Sequence, residues 1–158
     1  MHSGRSGIKL LVKEGRTHLG RRLLHASEHI DIHHEESEGW LYVDWKGYQS
    51  VDMVKSGCEE ILRHLAALRL SKVLNDNTHV SGIWVGAAYW LATYWFPRMR
   101  EAGLRHFAWV LSPSRLSQVS TTTTLEHAEP NTAVLFDDLA SAVHWLRNAD
   151  STETKGLP

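Results

Sequence analysis

The sequence predicts a single small α/β domain: a four- or five-stranded mixed sheet with an antiparallel N-terminal pair and about four helices, ordered β-β-α-β-α-β-α-β-α. Three observations lead there. Two strand-like runs, residues 29–35 and 40–46, flank the short turn Ser37-Glu38-Gly39, the pattern of an antiparallel pair. Beyond residue 50, stripes of apolar residues at helical spacing alternate with short apolar runs, as in a sheet built by helical crossovers. The segment from Phe136-Asp137-Asp138-Leu139 to Trp145-Leu146 then adds a last strand and a closing helix.

Residues 1–25 read as a basic extension, because Gly4, Gly7, Gly15 and Gly20 interrupt any long pattern, although residues 8–12 could form a short strand. In the second strand of the hairpin, Leu41, Val43 and Trp45 share one face and Trp40, Tyr42 and Asp44 the other. Ser50 can cap the next helix and Asp52 suits its positive end; Val54, Cys58, Ile61, Leu62 and Leu65 repeat at helical spacing over residues 51–69. Residues 72–75 follow as a short strand ending in the polar loop Asp76-Asn77-Thr78-His79, with Ser81 as a cap for a helix over 83–102. Pro97 lacks an N–H and should kink that helix or restart it. Residues 106–111 form an apolar strand, and Ser112-Pro113-Ser114 starts a third helix whose run of threonines, Thr121 to Thr124, reads as an exposed or frayed turn. Residues 133–136 make the last strand, Asp137 or Asp138 caps the last helix, and residues 150–158 read as a tail.

Composition narrows the function classes. A chain of 158 residues with seven Trp has material for one sizeable core. A mean hydropathy of −0.30 and the lack of an apolar run near about 18 residues argue against a membrane span. The first 25 residues show no apolar secretory core, which predicts a cytoplasmic protein. Those residues hold six Lys/Arg against one Glu, whereas residues 26–150 hold 10 Lys/Arg against 16 Asp/Glu, a balance that argues against a nucleic-acid face on the domain. Cys58 has no second cysteine to pair with and falls in a helical apolar series, as a buried thiol would.

Residues 26–149 resemble STAS-like domains, the bacterial anti-sigma-factor-antagonist group that is classed with CRAL-TRIO lipid-binding domains. The passages that carry the resemblance are Leu70-Ser71-Lys72-Val73-Leu74-Asn75-Asp76-Asn77, then Trp95-Phe96-Pro97-Arg98 leading to Glu101-Ala102-Gly103-Leu104, and the Phe136 to Leu146 segment. The resemblance implies a sheet with helices packed on it and a partner- or ligand-binding edge near the third strand and second helix. In phosphorylated members the modified residue lies in an Asp-Ser-Ser/Thr-Gly segment between those elements; here Ser81-Gly82 matches its end, which makes Ser81 the candidate phosphorylation position.

No nucleophile elbow and no Gly-rich phosphate loop occurs at a strand-to-helix turn, so no catalytic residue and no cofactor is expected. His29, Asp31 and His33 share a strand face, but residues four apart on a strand are about 13 Å apart, too far for one ion, and no metal site is expected. Asn75, Asp76, Asn77 and His79 lie at the carboxyl end of a parallel strand, where such folds bind ligands; turn chemistry is the plainer reading of the same residues. On the second helix Trp84, Ala88, Leu91, Trp95 and Met99 form a core face, leaving Trp90 and Tyr94 on one flank and Tyr89 and Phe96 on the other. Either neighbouring helices cover both flanks or one flank is a pocket wall or subunit contact. The sequence therefore points to a non-enzymatic regulatory or binding module that contacts a protein partner or a second copy of itself. A small apolar or lipid-like ligand is the alternative, and a small enzyme with its site at Asn75 to His79 comes third.

Overall fold

The computed structural model describes residues 20–154, which form one mixed sheet with helices on both faces. The strands are β1 (Arg21–Ala26), β2 (Ile30–Glu35), β3 (Trp40–Tyr48), β4 (Lys72–Ser81), β5 (His106–Val110) and β6 (Val134–Phe136). They lie side by side in chain order, β1 to β3 antiparallel and β3 to β6 parallel. Helix α1 (Val51–Leu68) links β3 to β4, α2 (residues 85–101) links β4 to β5, α3 (Arg115–His127) links β5 to β6, and α4 (Leu139–Thr154) closes the chain. Crossovers of one hand that always step in the same direction land on the same face of a sheet, which puts α1, α2 and α3 together. Among the described residues no strand follows β6, and α4 packs on the opposite face.

Six strands replace the expected four or five. The sixth is β1, drawn from the stretch read as a basic extension; its residues are exposed or half-buried, so it carries little apolar alternation to betray it. It is held by backbone pairing to β2 and by Arg21 donating to Glu35 at 2.6 Å. The short strand expected over residues 8–12 lies outside the described residues. At the other end α4 runs past Asp150 into the stretch read as a tail.

The main core lies between the sheet and α1 to α3, with Ile32, Leu41, Val43, Ile61, Leu65 and Phe96 sealed inside. Ser50 caps α1 by accepting from the Met53 N–H at 3.1 Å. The smaller core, Trp40, Tyr42, Leu74, Ala108, Ala142 and Leu146, lies under α4, and the alternation expected for β3 holds residue by residue. Asp138 accepts from the Ser141 N–H at 2.8 Å and so caps α4. Lys72 pins that helix, donating to the Leu146 carbonyl at 2.8 Å and pairing with Asp150 at 2.9 Å.

Helix α2 is assembled from a 3₁₀ turn (Val85–Ala87), one α turn (Ala88–Trp90), a π stretch (Leu91–Trp95) and an α segment (Phe96–Glu101). Pro97 stands at the start of that last segment, where a missing N–H costs least, and the wider π turn just before it absorbs the break. The π turn inserts one residue into the helical register and turns the following residues toward the core. Phe96, expected on an outer flank, is thus fully buried beside Trp95. The threonine run also differs from expectation: Thr121 and Thr124 are buried within α3, Thr124 donating to the Ser120 carbonyl at 2.8 Å.

Candidate functional site

The expected loop at Asp76 to His79 is strand. Residues 76–81 extend β4 to ten residues because β3 also runs on to Tyr48 and keeps pairing, with Lys46, Gly47 and Tyr48 opposite His79, Val80 and Ser81. Ser81 is consequently the exposed last residue of β4 and does not cap α2, which starts after Trp84. The pleat then sends the polar residues of β4 to opposite faces, dividing the expected cluster in two.

On the face covered by α1 to α3, Asn75 and Asn77 are buried at the carboxyl ends of the parallel strands. The Trp45 indole N–H donates to Asn75 Oδ1 at 2.8 Å, and Asn75 Nδ2 donates to Asn77 Oδ1 at 3.2 Å. These amides border a chamber of about 30 Å³, room for one or two water molecules. Trp45, Trp84, Trp109 and Phe107 wall it, and Gln49 and Cys58 complete the lining with Val54, Val80 and Leu91. Trp84 lies parallel to Trp109, ring centres 6.0 Å apart, and is held by two serines of α3: its backbone N–H donates to Ser120 Oγ at 3.0 Å and its indole N–H to Ser117 Oγ at 3.1 Å. Burial pushes the Cys58 thiol well up, so it stays protonated and is a wall rather than a nucleophile. Among the described lining residues none is ionised at neutral pH, which suits the chamber to binding and gives it no acid or base.

On the opposite face Asp31, Asp44 and Asp76 stand in register on adjacent strands. Asp76 is buried and fully engaged: Tyr42 donates to Oδ2 at 2.8 Å, and Thr78 donates to Oδ1 through its backbone N–H at 2.9 Å and through its hydroxyl. Burial, then that hydrogen bond, pushes the Tyr42 phenol far above its usual range. Asp44 is raised by its own burial and by the charge of Asp76, with His79 Nδ1 3.6 Å away acting in the other direction. Asp31 pairs with Lys46 at 2.9 Å. His33 stacks on Tyr42, and its burial and the charge of Arg21 hold its pKa below the ordinary histidine value. His29 lies just before β2, its carbonyl accepting from the Lys46 N–H and from Gln49. Among the described residues no group of three His, Cys, Asp or Glu is arranged to hold a metal.

The Trp90/Tyr94 flank is dressed by cations. Lys55 lies 5.6 Å from the Trp90 ring centre, and Arg98 lies 4.9 Å from that of Tyr94, donates to its hydroxyl and reaches Glu59. Trp90 is half-buried against the core, while Tyr94 is 44% exposed. A second group of exposed apolar side chains, which helical periodicity alone did not reveal, gathers at the carboxyl rim of the sheet. Tyr48 crowds Gly82, Ile83 and Val85 flank the buried Trp84, and Leu116 and Val119 stand on the α3 turns that hold Trp84; all five are exposed. The sequence misleads here: Leu116 and Val119, three apart, read as the apolar positions of the third helix, but α3 buries Ser117, Ser120, Thr121 and Thr124 instead and leaves both of them exposed.

No helix among the described residues is long and apolar enough to cross a membrane. Compared with known proteins, the chain matches no protein-family model and no curated protein.

Proposed function

We propose that the chain is a non-enzymatic, cytoplasmic STAS-like module that regulates or recruits through protein contact at the carboxyl rim of its sheet. The observation that carries this reading is the rim itself: Tyr48, Ile83, Val85, Leu116 and Val119 leave large apolar side chains in water around one end of the sheet. Single exposed apolar residues are ordinary on a protein surface, whereas a contiguous group costs solubility and marks a contact. Ser81, the candidate phosphorylation position, is exposed on β4 opposite Tyr48, so a phosphate there would put two negative charges beside the apolar group and weaken an apolar partner's hold.

The test is a native pull-down and sedimentation analysis of the wild-type chain beside an Ile83→Asp/Leu116→Asp variant and a Tyr94→Ala variant. The reading predicts that a stoichiometric partner, or self-association, is lost with the rim variant at unchanged melting temperature. It fails if the rim variant keeps every association, or if Tyr94→Ala alone abolishes it.

A further inference from the structure

We propose that the chamber behind Trp84 is a binding site for a small, planar, uncharged molecule carrying both a hydrogen-bond donor and an acceptor, with the Trp84 indole as its movable door. This inference is independent of the rim being a protein interface.

Two residues that line the chamber each carry a buried polar atom with no partner among the described residues: Gln49 Oε1 and the Trp109 indole N–H. Gln49 is 2% exposed and Trp109 4%. The orientation of the Gln49 amide is dictated by its other end, since Nε2 donates to the His29 carbonyl at 3.2 Å and to the Lys46 carbonyl at 3.0 Å. Turning the amide over would set its oxygen against two carbonyl oxygens, so the atom left without a partner is an acceptor. Trp109 can only donate. An occupant must therefore offer Gln49 a donor and Trp109 an acceptor. Without an ionised wall residue to meet it, a charged occupant would be buried unpaired, which selects a neutral one.

At about 30 Å³ the chamber admits water and nothing larger than a few atoms. One wall is built to give way. Trp84 lies on a five-residue segment bounded by Gly82, with a φ of +80°, and Gly86. Both of its N–H groups are held by serine hydroxyls of α3 rather than by backbone carbonyls, partners that water can replace. If the indole swings out, it leaves a flat slot of its own size against Trp109, with Ser117 Oγ at its edge. The slot lies at the carboxyl ends of parallel strands, the usual ligand position of such sheets.

The experiment titrates the full chain with 2-quinolone, a planar lactam of indole size, alongside naphthalene, which is planar but has no polar group, and 2-naphthoate, which is charged. Binding is read by calorimetry and by the indole N–H resonances, assigned with single Trp→Phe variants. The expected result is binding of 2-quinolone that shifts the Trp84 and Trp109 resonances, with 2-naphthoate and naphthalene each at least tenfold weaker. Gln49→Leu should weaken 2-quinolone at least tenfold. As that variant also loses the two Nε2 bonds, Trp84→Phe serves as the second: its smaller door should tighten binding severalfold. No shift of either resonance at millimolar 2-quinolone, equal binding of 2-naphthoate, or shifts confined to Trp90 would overturn the proposal and leave the chamber a water site.

Discussion

Replacing Gly57 with alanine tests how tightly α1 is pressed onto the wall of the chamber. A methyl group at this position would lie 2.7 Å from Cζ3 of Trp45, closer still to Cη2, and 3.1 Å from Cδ1 of Ile30. Two effects oppose each other. Alanine is the better helix former by about 0.5–1 kcal/mol, which alone would stabilise the variant. Overpacking a filled core costs about 1–3 kcal/mol, and the upper part of that range applies because the atoms struck belong to a rigid, buried ring. The indole also cannot shift freely, since its N–H is tied to Asn75 at 2.8 Å. Sterics win, and the variant should lose about 1–2 kcal/mol, lowering Tm by about 2–8 °C for a chain of this size. Thermal and urea melts followed by circular dichroism measure it. Trp45→Phe in the same chain removes the struck carbons, so a double-mutant cycle should return a favourable coupling of about 1 kcal/mol or more. A Tm equal to or above that of the wild type, or zero coupling with Trp45, would refute the reasoning.

Trp95 is 2% exposed and donates to the Cys58 carbonyl at 2.7 Å, so Trp95→Ala should cost about 3–5 kcal/mol, whereas the half-buried Trp90→Ala should cost roughly 1–2; equal melts would place Trp90 fully in the core. Because the folded state holds the Asp44 carboxyl above its usual range, it binds more protons than the unfolded chain from about pH 4 up to the raised value, and this contribution to stability falls as pH rises through that window. Asp44→Asn should thus gain on the wild type between pH 4 and pH 7, as read by urea melts at each pH; a stability of the variant minus that of the wild type that falls or stays flat with rising pH contradicts the assignment. A chain beginning at Ala26 loses β1 and leaves the edge of β2 unpaired, so it should melt earlier and aggregate more readily by light scattering; unchanged behaviour would mean β1 contributes nothing.

Much of the architecture was legible along the chain, and for local reasons. The Ser37-Glu38-Gly39 turn between two alternating runs specified a hairpin, Ser50 and the Asp137-Asp138 pair announced helix starts that Ser50 and Asp138 do cap, and the stripe from Val54 to Leu65 marked the buried side of α1. Pro97 signalled a break in α2, since a residue without an N–H interrupts a helix whatever surrounds it. What the sequence alone could not determine depends on partners distant in the chain. Asp76 and Asn77 read as loop because isolated carboxylates and amides avoid the inside of a sheet; only β3, bringing Tyr42 to Asp76 and Trp45 to the Asn75 that bonds Asn77, lets that stretch of β4 bury them. The same holds for β1, whose weak pattern becomes a strand through pairing with β2, and for Phe96, turned inward by a π turn that no periodicity encodes. The chamber is the furthest from sequence, since Gln49, Trp84 and Trp109 meet only when three strand ends and two helices converge. Local signals determine which elements form, because they act within a few residues; where polar groups find partners, and which remain without one, is decided by tertiary packing.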